Sequence, residues 1–190
     1  MSKEILFGVS GGIAAYKSVI VVSRLVEQGY GVTVVMTDAA IELVAPKTFE
    51  ALSGRLVQTS VFRTDLIHAH IEPARNADLF CIAPATANIL AKAAHGIADD
   101  LLSTLILSFE GTLLFAPAMN TAMWNKPSVQ RNVRQLVEDG ALMIGPASGR
   151  LSCGETGVGR MTEPEQIVAE IIRLTASSGS QSVSFPVHSS

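Results

Sequence analysis

The stretch Ile5-Leu6-Phe7-Gly8-Val9-Ser10-Gly11-Gly12 decides the fold. Its first six residues form an apolar run of strand length. The glycine pair then turns the chain into an amphipathic helix, expected from Ile13 to Gln28 and closed by Gly29. A strand that is apolar on both faces must be covered on both. The alternation continues downstream. Val32 to Met36 reads as a second strand, with Thr37 or Asp38 capping a helix that begins at Ala39. Asp78 to Ala83 reads as a third, stopped by Pro84, and helical segments follow from Ala87 to Ala94 and from Asp99 to Ser108. Gly111 to Phe115 is a further buried strand, ahead of a helix near Ser128 to Asp139. A last strand, Ala141 to Ile144, and a helix from Glu163 to Leu174 complete the pattern. Continuous apolar strands separated by helices indicate a doubly wound α/β fold, mainly parallel, with helices on both faces. One domain is expected over residues 1–175. Residues 176–190 are serine-rich and aperiodic, which reads as a disordered tail.

Composition narrows the function classes. Hydrophobic residues make up 48% of the 190 and charged residues 16%. So apolar a surface is expected to be covered by further copies of the chain. The net charge of −3 offers no footprint for nucleic acid or an anionic membrane. The apolar start is no signal peptide, because Glu4 stands where positive charge is wanted and Lys17 interrupts the run. No window reaches the ~20 uncharged apolar residues of a membrane span. Two cysteines far apart make no disulfide framework, so the cytoplasm is the expected compartment.

The chemistry is expected in loops at the carboxyl ends of strands, where open α/β sheets bind ligands. Ser10-Gly11-Gly12 can offer backbone N–H groups and a helix dipole to a phosphate, or can simply be a tight turn. It is no P-loop, since Tyr16 rather than glycine precedes Lys17. Gly8, Gly11 and Gly12 do not have dinucleotide-fingerprint spacing either. Pro84-Ala85-Thr86-Ala87-Asn88 follows the third strand, with Thr86 as a ligand contact or a helix cap. Ala116-Pro117-Ala118-Met119-Asn120-Thr121-Ala122-Met123-Trp124 follows the fourth. Asn120 there either caps a helix starting near Thr121 or presents its amide to a carboxylate or amide ligand. His68 and His70 share a face but have no further ligands for a metal. His70 could be structural, or a general base with pKa near neutrality. Ser152 to Arg160 holds Cys153, three glycines and Arg160, and reads as a mobile flap with a reactive thiol and an anion-binding guanidinium. Cys81, within an apolar strand, is expected to be inert, and His95 to be a surface residue.

Taken in order, these loops resemble the homo-oligomeric flavin-containing cysteine decarboxylases, and most nearly their phosphopantothenoylcysteine branch. The matching pieces are Gly11-Gly12-Ile13-Ala14-Ala15-Tyr16-Lys17, His70-Ile71, Pro84 to Asn88, Pro117 to Trp124, and Cys153-Gly154-x-x-Gly157-x-Gly159-Arg160. They extend from about Lys3 to Leu174. The resemblance implies FMN held by Gly12, Ile13, Thr37, Thr86, Ala87, Asn88, Ile89 and Ala118, with Phe49 against the isoalloxazine. It implies His70 as catalytic base, Asn120 on the substrate carboxylate, and Cys153 as the acid that returns a proton. Asn120, Met123, Cys153 and Arg160 would contact substrate. It also implies a trimer, or a dodecamer of trimers, with flavin at a subunit boundary.

The reaction implied is oxidation of the thiol-bearing carbon of phosphopantothenoylcysteine to a thioaldehyde, an electron sink that lets carbon dioxide leave. Reduction of the resulting ene-thiol to phosphopantetheine completes a step of coenzyme A biosynthesis. Cys153 favours this branch over the lantibiotic-type peptide decarboxylases, which release the oxidised ene-thiol and typically lack the cysteine flap. Flavin-binding regulatory subunits of the same fold usually carry acidic extensions. Pro73 and Thr86 stand where leucine and serine are common in the family. Many bacterial members continue into a domain that joins cysteine to phosphopantothenate, so a phosphopantothenate–cysteine ligase is an expected partner.

Overall fold

A computed structural model describes residues 2–60, 75–150, 154 and 156–177. Five parallel strands make one sheet: β1 (Glu4–Val9), β2 (Gly31–Met36), β3 (Leu79–Ala85), β4 (Thr112–Pro117) and β5 (Leu142–Met143), in the order β2-β1-β3-β4-β5. Side chains of successive strand residues enter opposite layers. Ile5, Phe7 and Val9 of β1 join Leu79, Cys81 and Ala83 of β3 in one core, while Leu6, Phe80 and Ile82 join the other. That is why the strands read as unbroken apolar runs. The first core is closed by α1 (Ala15–Glu27) together with the C-terminal helix, Pro164–Ser177. The second is closed by α4 (Ala87–His95), α5 (Leu101–Ser108) and a helix over Pro127–Glu138. Phe80 and Phe109 meet edge to face inside it, with centroids 5.6 Å apart.

Gly8 shows how tightly the second layer closes. A Cβ there would lie 2.6 Å from Leu102 Cδ1, so α5 could not approach β1 as it does. Cys81 is fully buried as expected, and burial pushes its thiol up, leaving it unreactive.

Three elements depart from the sequence reading. The helix expected from Ala39 is two: α2 (Asp38–Ile41), capped by Thr37 rather than Asp38, and α3 (Pro46–Ser53), with Pro46 in its first turn. The last parallel strand is only two residues long. The segment read as a loose flap carries an antiparallel ribbon, β6 (Ala147–Arg150) paired with β7 (Thr156–Arg160). Two of its glycines permit close contact: a Cβ on Gly157 would lie 2.2 Å from Thr121 Oγ1, and one on Gly159 would lie 2.3 Å from Met119 O. No helix among the described residues is long and apolar enough to cross a membrane. The serine-rich tail from residue 178 lies outside the described residues.

Candidate functional site

The chain leaves β1 towards β2 on one side and returns to β3 on the other, so the strand order reverses at the β1/β3 boundary. A doubly wound sheet leaves a crevice there, beyond the carboxyl ends of the strands. A cleft of about 1240 Å³ opens at that point. It exceeds the ~300–1,000 Å³ of an ordinary small-molecule site.

One hydroxyl joins the two sides of the switch. Ser10, at the end of β1, is 2% exposed; its Oγ donates to Pro84 O at 2.7 Å and accepts from Thr86 N–H at 3.1 Å. The floor between them is bare backbone. A Cβ on Gly11 would meet Ala39 Cβ at 2.3 Å, and one on Gly12 would lie 3.1 Å from Thr86 Cγ2. Beyond the floor the chain enters α1. The N–H groups of Gly11, Ile13 and Ala14 make no hydrogen bond among the described residues, which leaves donors for an anion at the helix entrance.

Two of the alternatives left open in the sequence prove compatible. Thr86 caps α4, accepting from Ile89 N–H at 3.5 Å, and also lines the cleft. Asn120 caps the short helix α6 (Thr121–Trp124), with its Oδ1 accepting from Met123 N–H at 2.7 Å. The cap occupies one lone pair of the amide oxygen, and Nδ2 has no partner among the described residues. Asn120 thus lines the cleft with an uncommitted donor, the polarity a carboxylate needs. The ribbon fixes this loop from behind, because Met119 N–H donates to Gly159 O at 2.9 Å.

Gly12, Ile13, Thr37, Thr86, Ala87, Asn88, Ile89, Ala118, Asn120, Met123 and Arg160 all line this single cleft. Phe49 does not. It is fully buried in the first core and is not among the residues of the cleft wall. His70 and Cys153 lie outside the described residues. His95 ends α4 in an exposed position.

Two charged clusters on the wall escaped the sequence reading. Lys17 of α1 pairs with Glu163, which also bonds Arg160. A cation adjoining the buried stripe of Ser18, Val21, Val22 and Leu25 was the available signal. On the other side, Lys92 bridges Asp99 and Asp100, each at 2.6 Å. Burial pushes the Asp100 carboxyl up, but Lys92 and the backbone and hydroxyl of Ser103 outweigh it and hold the group below the usual carboxylate range. Asp100 also caps α5 in a reciprocal box with Ser103. Asp100→Ala should therefore cost ~1 kcal/mol of stability at neutral pH. A carboxyl with a depressed folded pKa stabilises above its unfolded value and loses that contribution as pH falls through the folded one. Urea midpoints of parent and variant should thus converge on acidification below about pH 4, and a gap that persists there contradicts this role.

Fold and cleft together define an α/β ligand-binding protein whose site sits at the switch point of a 2-1-3-4-5 sheet. The family model described as Flavoprotein matches residues 1–176, and the chain belongs to that family. Among curated relatives, the coenzyme A biosynthesis bifunctional protein CoaBC of Bacillus subtilis (strain 168) is 46% identical over 169 residues, covering 88% of this chain and 42% of that protein. The namesake from Mycolicibacterium smegmatis is 49% identical over 166 residues, covering 87% of this chain and 40% of that protein. The chain thus spans well under half the length of these relatives. Among solved structures, a cysteine-to-serine mutant of PPC decarboxylase complexed with pantothenoylaminoethenethiol matches with a TM-score of 0.82 and 32% identity, covering 93% of this chain and 100% of that one. The FMN-dependent cysteine decarboxylase SpaF matches with a TM-score of 0.77 and 36% identity, covering 90% and 97%.

Proposed function

We propose that this chain is an FMN-dependent decarboxylase of phosphopantothenoylcysteine, acting in coenzyme A biosynthesis. The observation that carries the reading is the uncommitted Nδ2 donor of Asn120, held by its own helix cap on the wall of a cleft with a bare glycine floor. Gly12, Ile13 and Thr37 would receive the cofactor's phosphate side, where N–H groups at the entrance of α1 have no partner among the described residues. Thr86, Ala87, Asn88, Ile89 and Ala118 would wall its remaining length. When bound, FMN supplies the two-electron oxidation of the thiol-bearing carbon and the later return of those electrons.

The residues do the rest by position. Asn120 Nδ2 donates to the substrate carboxylate and orients the carbon–carbon bond that breaks. Met123 offers apolar contact, and Arg160 offers charge to an anionic group. His70 takes the role of base, and Cys153 returns a proton to the product carbon. In this reading, subunits of a homo-oligomer, a trimer or a dodecamer of trimers, cover the apolar surface that the monomer leaves exposed, such as Ile13, Tyr16 and Ile20 on one side of α1. A phosphopantothenate–cysteine ligase, fused or separate, supplies the substrate, and the reaction belongs in the cytoplasm.

Cys153→Ser tests the assignment. With phosphopantothenoylcysteine and FMN, this variant should release carbon dioxide yet accumulate the oxidised ene-thiol, two mass units lighter than the reduced thiol. Mass spectrometry reads the difference. Reduced product at the parental rate contradicts the role of Cys153, and no carbon dioxide from either protein contradicts the proposed activity.

A further inference from the structure

Three charged side chains meet where β7 passes α1. The Lys17 side chain is 9% exposed, and its Nζ lies 3.0 Å from Glu163 Oε2. Glu163 Oε1 accepts from Arg160 Nη2. One carboxylate thus serves two cations, and both cations line the cleft. Their needs differ. Arg160 and Glu163 are about 40% exposed, so water also supports them. Lys17 is nearly buried, and among the described residues Glu163 is its single ion-pair partner.

We propose that Glu163 is a positioning residue: it holds the Lys17 and Arg160 side chains next to each other on the cleft wall, so that an anionic substrate group meets a preset pair of cations. The identity of that substrate rests on the decarboxylase reading; the charge arrangement does not. The hydrogen bond from Lys17, aided by Arg160, holds the Glu163 carboxyl below its usual range, so the carboxylate stays charged throughout the neutral region.

The other charged groups on elements packed against α1 are engaged elsewhere. Glu165 of the C-terminal helix pairs with Arg24 at 2.7 Å, and Lys47 and Glu50 of α3 pair with each other at 2.6 Å. Glu4 of β1 pairs with Arg55, and Asp78, just before β3, pairs with Lys3. Asp38, at the start of α2, lines the cleft but forms no ion pair with Lys17 among the described residues. The triad also links the ribbon to α1, because Arg160 is the last residue of β7 and Glu163 directly precedes the C-terminal helix.

The test compares FMN-loaded parent, Glu163→Gln, Glu163→Asp, Lys17→Met and the Lys17→Met/Glu163→Gln double variant. The KM for phosphopantothenoylcysteine should rise ~10-fold in Glu163→Gln, with a smaller change in kcat, and Glu163→Asp should recover most of the lost binding. The double variant should bind worse than Lys17→Met alone, because Arg160 still loses its partner, but by less than the sum of the two single losses. An unchanged KM in Glu163→Gln, or fully additive losses in the double variant, overturns the proposal. A parent protein that does not turn the substrate over defeats the decarboxylase reading instead, and calorimetric binding of phosphopantothenoylcysteine to parent and Glu163→Gln then decides the role of Glu163 alone.

Discussion

Asn120→Asp should leave fold and flavin binding in place and lower kcat/KM for phosphopantothenoylcysteine by ~100-fold or more. The substitution is selective because of what the cap does. Asp is as good a helix cap as Asn, so the bond from Met123 N–H to Oδ1 survives and α6 keeps its start. What changes is the other atom: a donor Nδ2 becomes a second carboxylate oxygen, facing the carboxylate it has to hold. Asn120→Ala would confound the loss of the cap with the loss of the contact. Thermal unfolding and flavin absorbance of Asn120→Asp should match the parent, while steady-state kinetics should not. A variant with kcat/KM within ~3-fold of the parent removes Asn120 from the substrate site.

Gly159→Ala should be the most damaging single methyl outside the core. Gly159 has a φ of +140°, a conformation that side chains rarely adopt, and a Cβ there would stand 2.3 Å from Met119 O. That oxygen belongs to backbone, so no side-chain rotation relieves the clash. Either β7 moves away or the Met119–Asn120 loop does, and the bond from Met119 N–H to Gly159 O at 2.9 Å is lost in both cases. The contact lies at the margin of the two cores, where Met119 packs against one and Met161 belongs to the other, and the loss of stability should be ~1–3 kcal/mol. Turnover should fall by ~100-fold or more, since ~1 Å of displacement suffices for that. Parental kinetics would show that the ribbon does not hold the asparagine in place.

The sequence made the sheet legible for a physical reason. Each strand of the parallel sheet supplies both layers, so β1, β3 and β4 stand out as unbroken apolar runs; the glycine pair marks where β1 stops, whereas β3 continues through Pro84 to Ala85, where it pairs with Pro117 of β4. Most cleft residues were legible for a related reason, because they sit in the loops that follow those strands. The ribbon was not. Gly154, Gly157 and Gly159 read as freedom, whereas Gly157 and Gly159 are required by partners distant in sequence, Thr121 and Met119. Such a contact leaves no local signature. Phe49 sits in the first core and not on the cleft wall, a placement that an aromatic residue type alone does not reveal. Glu163 was invisible because its partners, Lys17 and Arg160, come from α1 and β7, and only the folded chain puts them on one wall.

The central claim is that the loops at the β1/β3 switch point jointly hold an oxidising flavin beside a carboxylate-binding amide. Its most direct test is a single incubation of FMN-loaded protein with phosphopantothenoylcysteine labelled with ¹³C at the cysteinyl carboxyl, with no external reductant, followed by mass spectrometry of gas and product. The account predicts ¹³C-labelled carbon dioxide released in equal amount to a fully reduced thiol product, with the flavin oxidised at the end. Flavin-loaded protein that leaves the labelled carboxyl in place would contradict it.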